Sequence, residues 1–173
     1  MKLQLTDTTL SLRTIRETDR EILSHIYFST RKDEIEQATQ WTSDQKQNFL
    51  VFQFNAQHTY YIQNYPGANF WIIEKNRQPI GRLYLDTNFD NRSIRIIDIT
   101  LLPEWRSIGI GGQLLSDIIA FAKTMNRGVS IHVESFNPAM RLYKRLGFDL
   151  VSITNGVYHL LEWKNKTTAP QTL

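Results

Sequence analysis

The stretch Leu102-Pro103-Glu104-Trp105-Arg106-Ser107-Ile108-Gly109-Ile110-Gly111-Gly112-Gln113-Leu114-Leu115 decides the reading of this chain. The β-branched run 94–102 leading into it reads as a strand. Behind it, the apolar stripe Ile110, Leu114, Ile118, Ala122 and Met125 reads as a helix over 109–125. Three glycines sit at the junction, although a glycine inside a helix costs roughly 1 kcal/mol relative to alanine. Such a cost points to something that approaches the backbone closely. An exposed helix N-terminus offers unpaired N–H groups and a partial positive charge, which suits phosphate, and Arg106 adds a formal charge beside it. Two phosphate loops are excluded. The Gly-Lys-Ser/Thr end of a P-loop is missing. The dinucleotide fingerprint needs its third glycine at position 114, where this chain has leucine, and it normally follows the first strand, whereas roughly a hundred residues precede this one. The alternative for the glycines is a tight strand-to-helix connection without a ligand.

Outward from this motif, 10–15 alternates as a first strand, and Thr18 or Asp19 caps a helix to about 36 that buries Ile22, Leu23, Ile26 and Tyr27. Ser43 and Asp44 open a second helix carrying Phe49, Phe52, Phe54, Ala56 and Tyr60, which Tyr65-Pro66-Gly67 stops. Strands 70–75 and 79–86 form a hairpin. The strand 94–102 is apolar nearly throughout and is expected to be central and covered on both faces. After the helix come a strand at 129–134 and a short helix with Asn137 as cap, Pro138 first and Gly147 last. A closing hairpin, 148–153 and 157–163, turns at Thr154-Asn155-Gly156. The order is β-α-α-β-β-β-α-β-α-β-β, an α/β (α+β) pattern with a mixed sheet and helices on both faces.

With 173 residues, 41% hydrophobic and 21% charged, the chain reads as one domain over 1–163 with a polar tail at 164–173. No cysteine is present, which excludes disulfides, thiolate metal sites and a cysteine nucleophile. The net charge of +3 comes from 20 basic residues scattered among 17 acidic ones, so a nucleic-acid partner is disfavoured. The opening residues lack the apolar core of a signal peptide, and the longest apolar run, 118–122, is far short of a membrane span. A cytoplasmic protein with no membrane partner is expected. The four histidines are far apart, so no metal site is expected.

Arg106-x-x-Gly109-x-Gly111 followed by Gly112 resembles the acetyl-CoA pyrophosphate loop of the GNAT superfamily, in a bacterial-type single-domain form. Downstream, Asn137-Pro138-Ala139, Leu142-Tyr143 and Leu146-Gly147-Phe148 resemble that superfamily's second motif. The resemblance covers about 10–163. It implies a twisted, mostly antiparallel sheet of about seven strands, and acetyl-CoA as co-substrate without a metal. It implies transfer of the acetyl group to a primary amine by direct attack in a ternary complex. Backbone groups of Leu101 and Leu102 are expected on the pantetheine arm. The N–H groups from Arg106 through Ser107, Ile108, Gly109, Ile110 and Gly111 to Gly112 are expected on the pyrophosphate. Asn137 is expected on the cofactor, and Tyr143 at the sulfur as the acid for the departing thiolate. Fixed backbone donors suit the oxyanion, and a phenol suits the thiolate. For Tyr143 the alternative is a core aromatic.

The base stays open. Asp98, within Ile96-Ile97-Asp98-Ile99, is either a buried carboxylate poised as the base or the partner of an arginine such as Arg82 or Arg95. Many superfamily members carry a glutamate earlier on this strand, and position 95 here is arginine. His132 and Glu134 share one strand face as further candidates. The resemblance implies a small-molecule or protein amine as acceptor, covered by the region that here holds Arg31, Asp33, Glu34, Glu36 and Trp41; the alternative for that region is a solvated charged loop. A homodimer is compatible with the resemblance. The competing class is a non-catalytic acyl-CoA-binding or regulatory module on the same fold.

Overall fold

The computed structural model describes residues 3–90 and 92–165, so most of the predicted polar tail lies outside the described residues. Seven strands and four helices follow in the expected order: β1 (Leu10–Thr14), α1 (Arg20–Glu36), α2 (Ser43–Asn64), β2 (Asn69–Lys75), β3 (Gln78–Asp86), β4 (Ser93–Leu101), α3 (Ile110–Thr124), β5 (Gly128–Glu134), α4 (Met140–Arg145), β6 (Asp149–Thr154) and β7 (Tyr158–Trp163). The strands join one mixed sheet in the order β1-β2-β3-β4-β5-β7-β6. β4 and β5 are parallel, in register from Ser93–Gly128 to Ile96–Ile131. The pairs β1–β2, β5–β7 and β6–β7 are antiparallel. A parallel pair needs a crossover, and α3 supplies it.

Contacts divide the chain into two compact units. The first comprises Thr9–Tyr84 and Asp98–Arg106; the second comprises the chain before Thr9, Leu85–Ile97 and the chain from Ser107 on. The boundary therefore falls inside the glycine motif.

In the first unit, Leu23, Ile26 and Tyr27 of α1 and Leu50 and Phe54 of α2 are buried together with Ile72, Ile73, Ile80 and Leu83 of the strands. Asp19 ends a 3-10 turn, and its carboxylate does not cap α1. Instead it takes a bidentate pair from Arg13, at 2.9 Å on each oxygen, and the Arg16 N–H at 2.7 Å. Thr42 caps α2. Its hydroxyl accepts from the Gln45 N–H, and the Gln45 side chain accepts from the Thr42 N–H, a reciprocal capping box. The aromatic residues of α2 do not share one face. Phe54 is 2% exposed, whereas Phe52 and Tyr60 are 71% and 54% exposed. Hydrophobicity alone misplaces them because they lie on a different side of the helix from Phe54. The β2–β3 hairpin turns at Asn76 and Arg77, both left-handed at φ 51° and 67°.

In the second unit, α3 buries Ile110, Leu114, Leu115, Ile118, Ile119, Phe121 and Ala122, a stripe wider than the sequence pattern suggests. Buried Asp117 of α3 holds the incoming chain, accepting the Thr6 N–H at 3.1 Å and hydroxyl at 2.6 Å. The predicted cap at Asn137 shifts. α4 begins at Met140 after Ala139, and Asn137 instead folds the preceding turn, its side-chain oxygen accepting the Ala139 N–H at 2.9 Å. β4 is covered as expected over Ser93–Ile96 and at Leu101; from Ile97 to Thr100 it is half-buried.

Candidate functional site

In the first unit the chemistry gathers where β4 ends. Leu101 and Leu102 are buried, and the Leu102 N–H is committed to the Ile80 carbonyl at 2.8 Å. Gly81 of β3 lies against this bend. A Cβ there would stand 2.2 Å from the Thr100 carbonyl oxygen and 3.0 Å from the Leu101 Cα. Glycine within a strand marks such a close backbone approach. Because the obstruction is backbone, Gly81→Ala is expected to displace Thr100 and Leu101 and lower stability by about 1–3 kcal/mol. Thermal unfolding and hydrogen exchange over 100–102 check this; unchanged exchange there would refute the displacement.

The Arg106 side chain is hydrogen-bonded within its own unit. Its Nε donates to the Leu101 carbonyl at 2.7 Å, and its Nη2 donates to the Ser29 hydroxyl of α1 at 3.1 Å. A guanidinium presents donors in a fixed fork, and here a carbonyl and a hydroxyl of the same unit satisfy two of them.

Asp98 realises the second of its two readings. Arg82, 2% exposed, grips it bidentately at 3.1 Å and 2.7 Å, and the Thr100 hydroxyl donates to it at 2.8 Å. Arg82 also donates to Gln57 of α2 at 2.8 Å. Arg82 thereby ties β3, β4 and α2 together. Burial pushes the nearby Tyr84 phenol up to about 12, which keeps it neutral at physiological pH. Elsewhere in this unit a cavity of about 410 Å³ is lined by residues such as Arg16, Arg20 and His58, none of them predicted as site residues.

In the second unit, Ser107, Ile108 and Gly109 are exposed. Ser107 adopts a left-handed φ of 60°, and Gly109, the N-cap of α3, has φ 93°. Gly109 is demanded by this conformation and has no atom within 4 Å of where a Cβ would stand. The first intrahelical bond runs from the Gln113 N–H to the Gly109 carbonyl. The N–H groups of Ile110, Gly111 and Gly112 therefore lie outside the helical ladder. No acidic residue occupies the first turn of α3. Exposed loop, open space and positive helix end together fit a bound phosphate. Gly112 has a packing role as well, since a Cβ there would touch Leu142 of α4 at 3.5 Å.

Tyr143 is 3% exposed, with its ring edge-on to Phe148 at 5.6 Å. The Arg95 Nη1 lies 3.0 Å from the Nδ1 of His132. A guanidinium can only donate, so Nδ1 accepts and the neutral ring carries its proton on Nε2. Desolvation, with the Arg95 charge second, pushes the His132 pKa down. With Nδ1 engaged and Nε2 protonated, this imidazole has no spare lone pair to act as a base. Among the described residues no cluster of His, Cys, Asp or Glu is arranged to hold a metal ion, and no helix is long and apolar enough to cross a membrane. Sequence reasoning missed Ser29, Gln57 and Gly81; the glycine inside the β3 pattern was a readable signal for the last.

Residues 29–148 match the profile of the acetyltransferase (GNAT) family. Over 95 residues the chain is 32% identical to an uncharacterized N-acetyltransferase of Methanocaldococcus jannaschii, covering 50% of this chain and 42% of that protein, less than half its length. Over 128 residues it is 24% identical to an N-alpha-acetyltransferase of Sulfurisphaera tokodaii, covering 65% of this chain and 77% of that protein. Among solved structures, the PaiA N-acetyltransferase from Thermoplasma acidophilum, in complex with coenzyme A, has the same fold. The TM-score is 0.66 at 16% identity, over 91% of this chain and 100% of that one.

Proposed function

The chain belongs to the acetyltransferase (GNAT) family, and from that membership we propose that it transfers the acetyl group of acetyl-CoA to a primary amine by direct attack. The observation that carries the reading is the loop before α3, with left-handed Gly109, exposed Ser107 to Gly109 and three N–H groups outside the helical ladder. The same loop occupies the position of the pyrophosphate loop in the family resemblance.

In this reading the N–H groups from Arg106 to Gly112 line the pyrophosphate, the Arg106 N–H being already given to the Pro103 carbonyl at 3.1 Å, and Asn137 supports the cofactor by its side chain. The backbone of Leu101 and Leu102 meets the pantetheine arm; the Leu102 N–H is already given to Ile80, and the Leu101 and Leu102 carbonyls already accept from Arg106 and Trp105. Acetyl-CoA supplies an activated thioester. The protein contributes orientation, fixed donors for the developing oxyanion and, at the Tyr143 hydroxyl, a proton for the leaving sulfur. Asp98, sequestered by Arg82, is not assigned as the base, and water is the acceptor for the amine proton in this scheme. The acceptor is an amine on a small molecule or a protein.

One observation favours the second reading, a non-catalytic acyl-CoA-binding module: of the three groups weighed as bases, Asp98 and His132 are engaged by arginines. Thermal unfolding tests what the two readings share. A ligand at 100 times its dissociation constant adds about 2.7 kcal/mol, which for a domain this size raises Tm by roughly 5–11 °C. That shift is expected with acetyl-CoA and CoA and not with ATP. No shift with any of them at millimolar ligand removes both readings.

A further inference from the structure

Arg106 opens the motif that resembles the pyrophosphate loop, and although the residue is exposed its side chain makes hydrogen bonds within the first unit. Nε donates to the Leu101 carbonyl at 2.7 Å, and Nη2 donates to the Ser29 hydroxyl at 3.1 Å, with the Ser29 carbonyl at 3.5 Å. The Ser29 hydroxyl has its own proton occupied, donating to the Ile26 carbonyl at 2.7 Å. Its lone pairs are therefore free to accept from Arg106, and the pattern is internally consistent. Ser29 lies in α1, about half a turn before the acceptor-side segment that begins near Arg31 and runs through Asp33, Glu34 and Glu36. Leu101 is the last residue of β4. One guanidinium thus fastens the end of β4 to the helix that leads into the acceptor segment.

We propose that Arg106 is a positioning residue, a clasp that holds the Leu101 carbonyl and α1 in one arrangement, and not a ligand of the pyrophosphate. The assignment rests on the acetyl-CoA reading only for its effect on cofactor affinity; the clasp itself exists in the free protein. Its geometry needs a planar fork with two separated donors. A lysine keeps the charge but cannot make both bonds. Charge and fork therefore make opposite predictions for the conservative variant.

The test compares the wild-type chain with Arg106→Lys, Arg106→Gln and Ser29→Ala by hydrogen exchange without ligand and by CoA titration. The clasp predicts several-fold faster exchange over 26–36 in Arg106→Lys and Arg106→Gln alike, since local opening is eased where a tether is lost. Ser29→Ala should reproduce part of that effect, because it removes one of the two anchors. CoA affinity should fall on the order of tenfold in both arginine variants, the scale of a lost charged hydrogen bond. Rescue of CoA affinity by lysine, with exchange over 26–36 unchanged in all three variants, would overturn the clasp and restore the phosphate role. If the wild-type chain binds no CoA, the acetyl-CoA reading fails, while the exchange experiment still decides the clasp.

Discussion

Replacing Arg82 by methionine is expected to destabilise the protein by about 3–5 kcal/mol, because it leaves a buried carboxylate without its counter-charge. Asp98 keeps only the Thr100 hydroxyl, and the side chain is 10% exposed, too little for water to take over. For a chain of this size that loss lowers Tm by roughly 6–20 °C. Methionine roughly matches the length of the arginine stem, so the cavity contribution stays small beside the charge. The decisive comparison is the double variant Arg82→Met with Asp98→Asn, in which no buried charge remains. It should recover most of the lost stability, since removing both members of a buried pair is often near neutral. The contacts of the guanidinium with Gln57 and with the Tyr84 ring are absent from both variants, so the recovery isolates the ion pair. Equal instability of the single and double variants would show that Arg82 matters for packing and not for Asp98. Near-wild-type stability of the single variant would show that water reaches the carboxylate after all.

The Arg82–Asp98 pair also shows what a sequence conveys and what it does not. An aspartate in the run Ile96-Ile97-Asp98-Ile99 announces a special carboxylate, because burying one costs heavily unless it is paired. It does not announce the partner. Arg82 and Arg95 are equivalent candidates in a sequence, and only strand pairing gives Asp98 to the first and sends the second to His132. The glycine loop was legible for a different reason. Its conformation is local, so Gly109 at φ 93° and the start of α3 follow from neighbours in sequence. The same holds for the Asn155-Gly156 turn, at φ 53° and 68°. The bond from Arg106 to Ser29 was not legible, because Ser29 is far away in sequence and no periodicity encodes that contact. The exposure of Phe52 and Tyr60 was not legible, because an apolar side chain on a solvent face looks, in one dimension, like a core residue.

Tyr143→Phe is expected to cut turnover by a factor of about 10²–10⁴, the usual worth of a positioned general acid. CoA binding and the fold should survive. The substitution removes one oxygen and leaves the ring, which is buried at 3% exposure and packed edge-on to Phe148, a contact that phenylalanine makes equally well. The CoA-induced rise in Tm therefore serves as the control. If it is retained while turnover collapses across a panel of primary amines and peptides, the hydroxyl acts on the reaction itself. If turnover is unchanged, Tyr143 is a core aromatic and the thiolate takes its proton from water. The wild-type chain separates the remaining pair of readings under the same conditions. A Tm rise without turnover on any amine would make the protein a binding module in which arginines engage two of the three candidate bases, Asp98 and His132. Turnover in the wild type with Asp98 locked to Arg82 would mean that the amine loses its proton through solvent. A family member built this way should then be fastest on amines of low basicity, which are already neutral when they arrive, and slowest on lysine-like amines, which arrive charged.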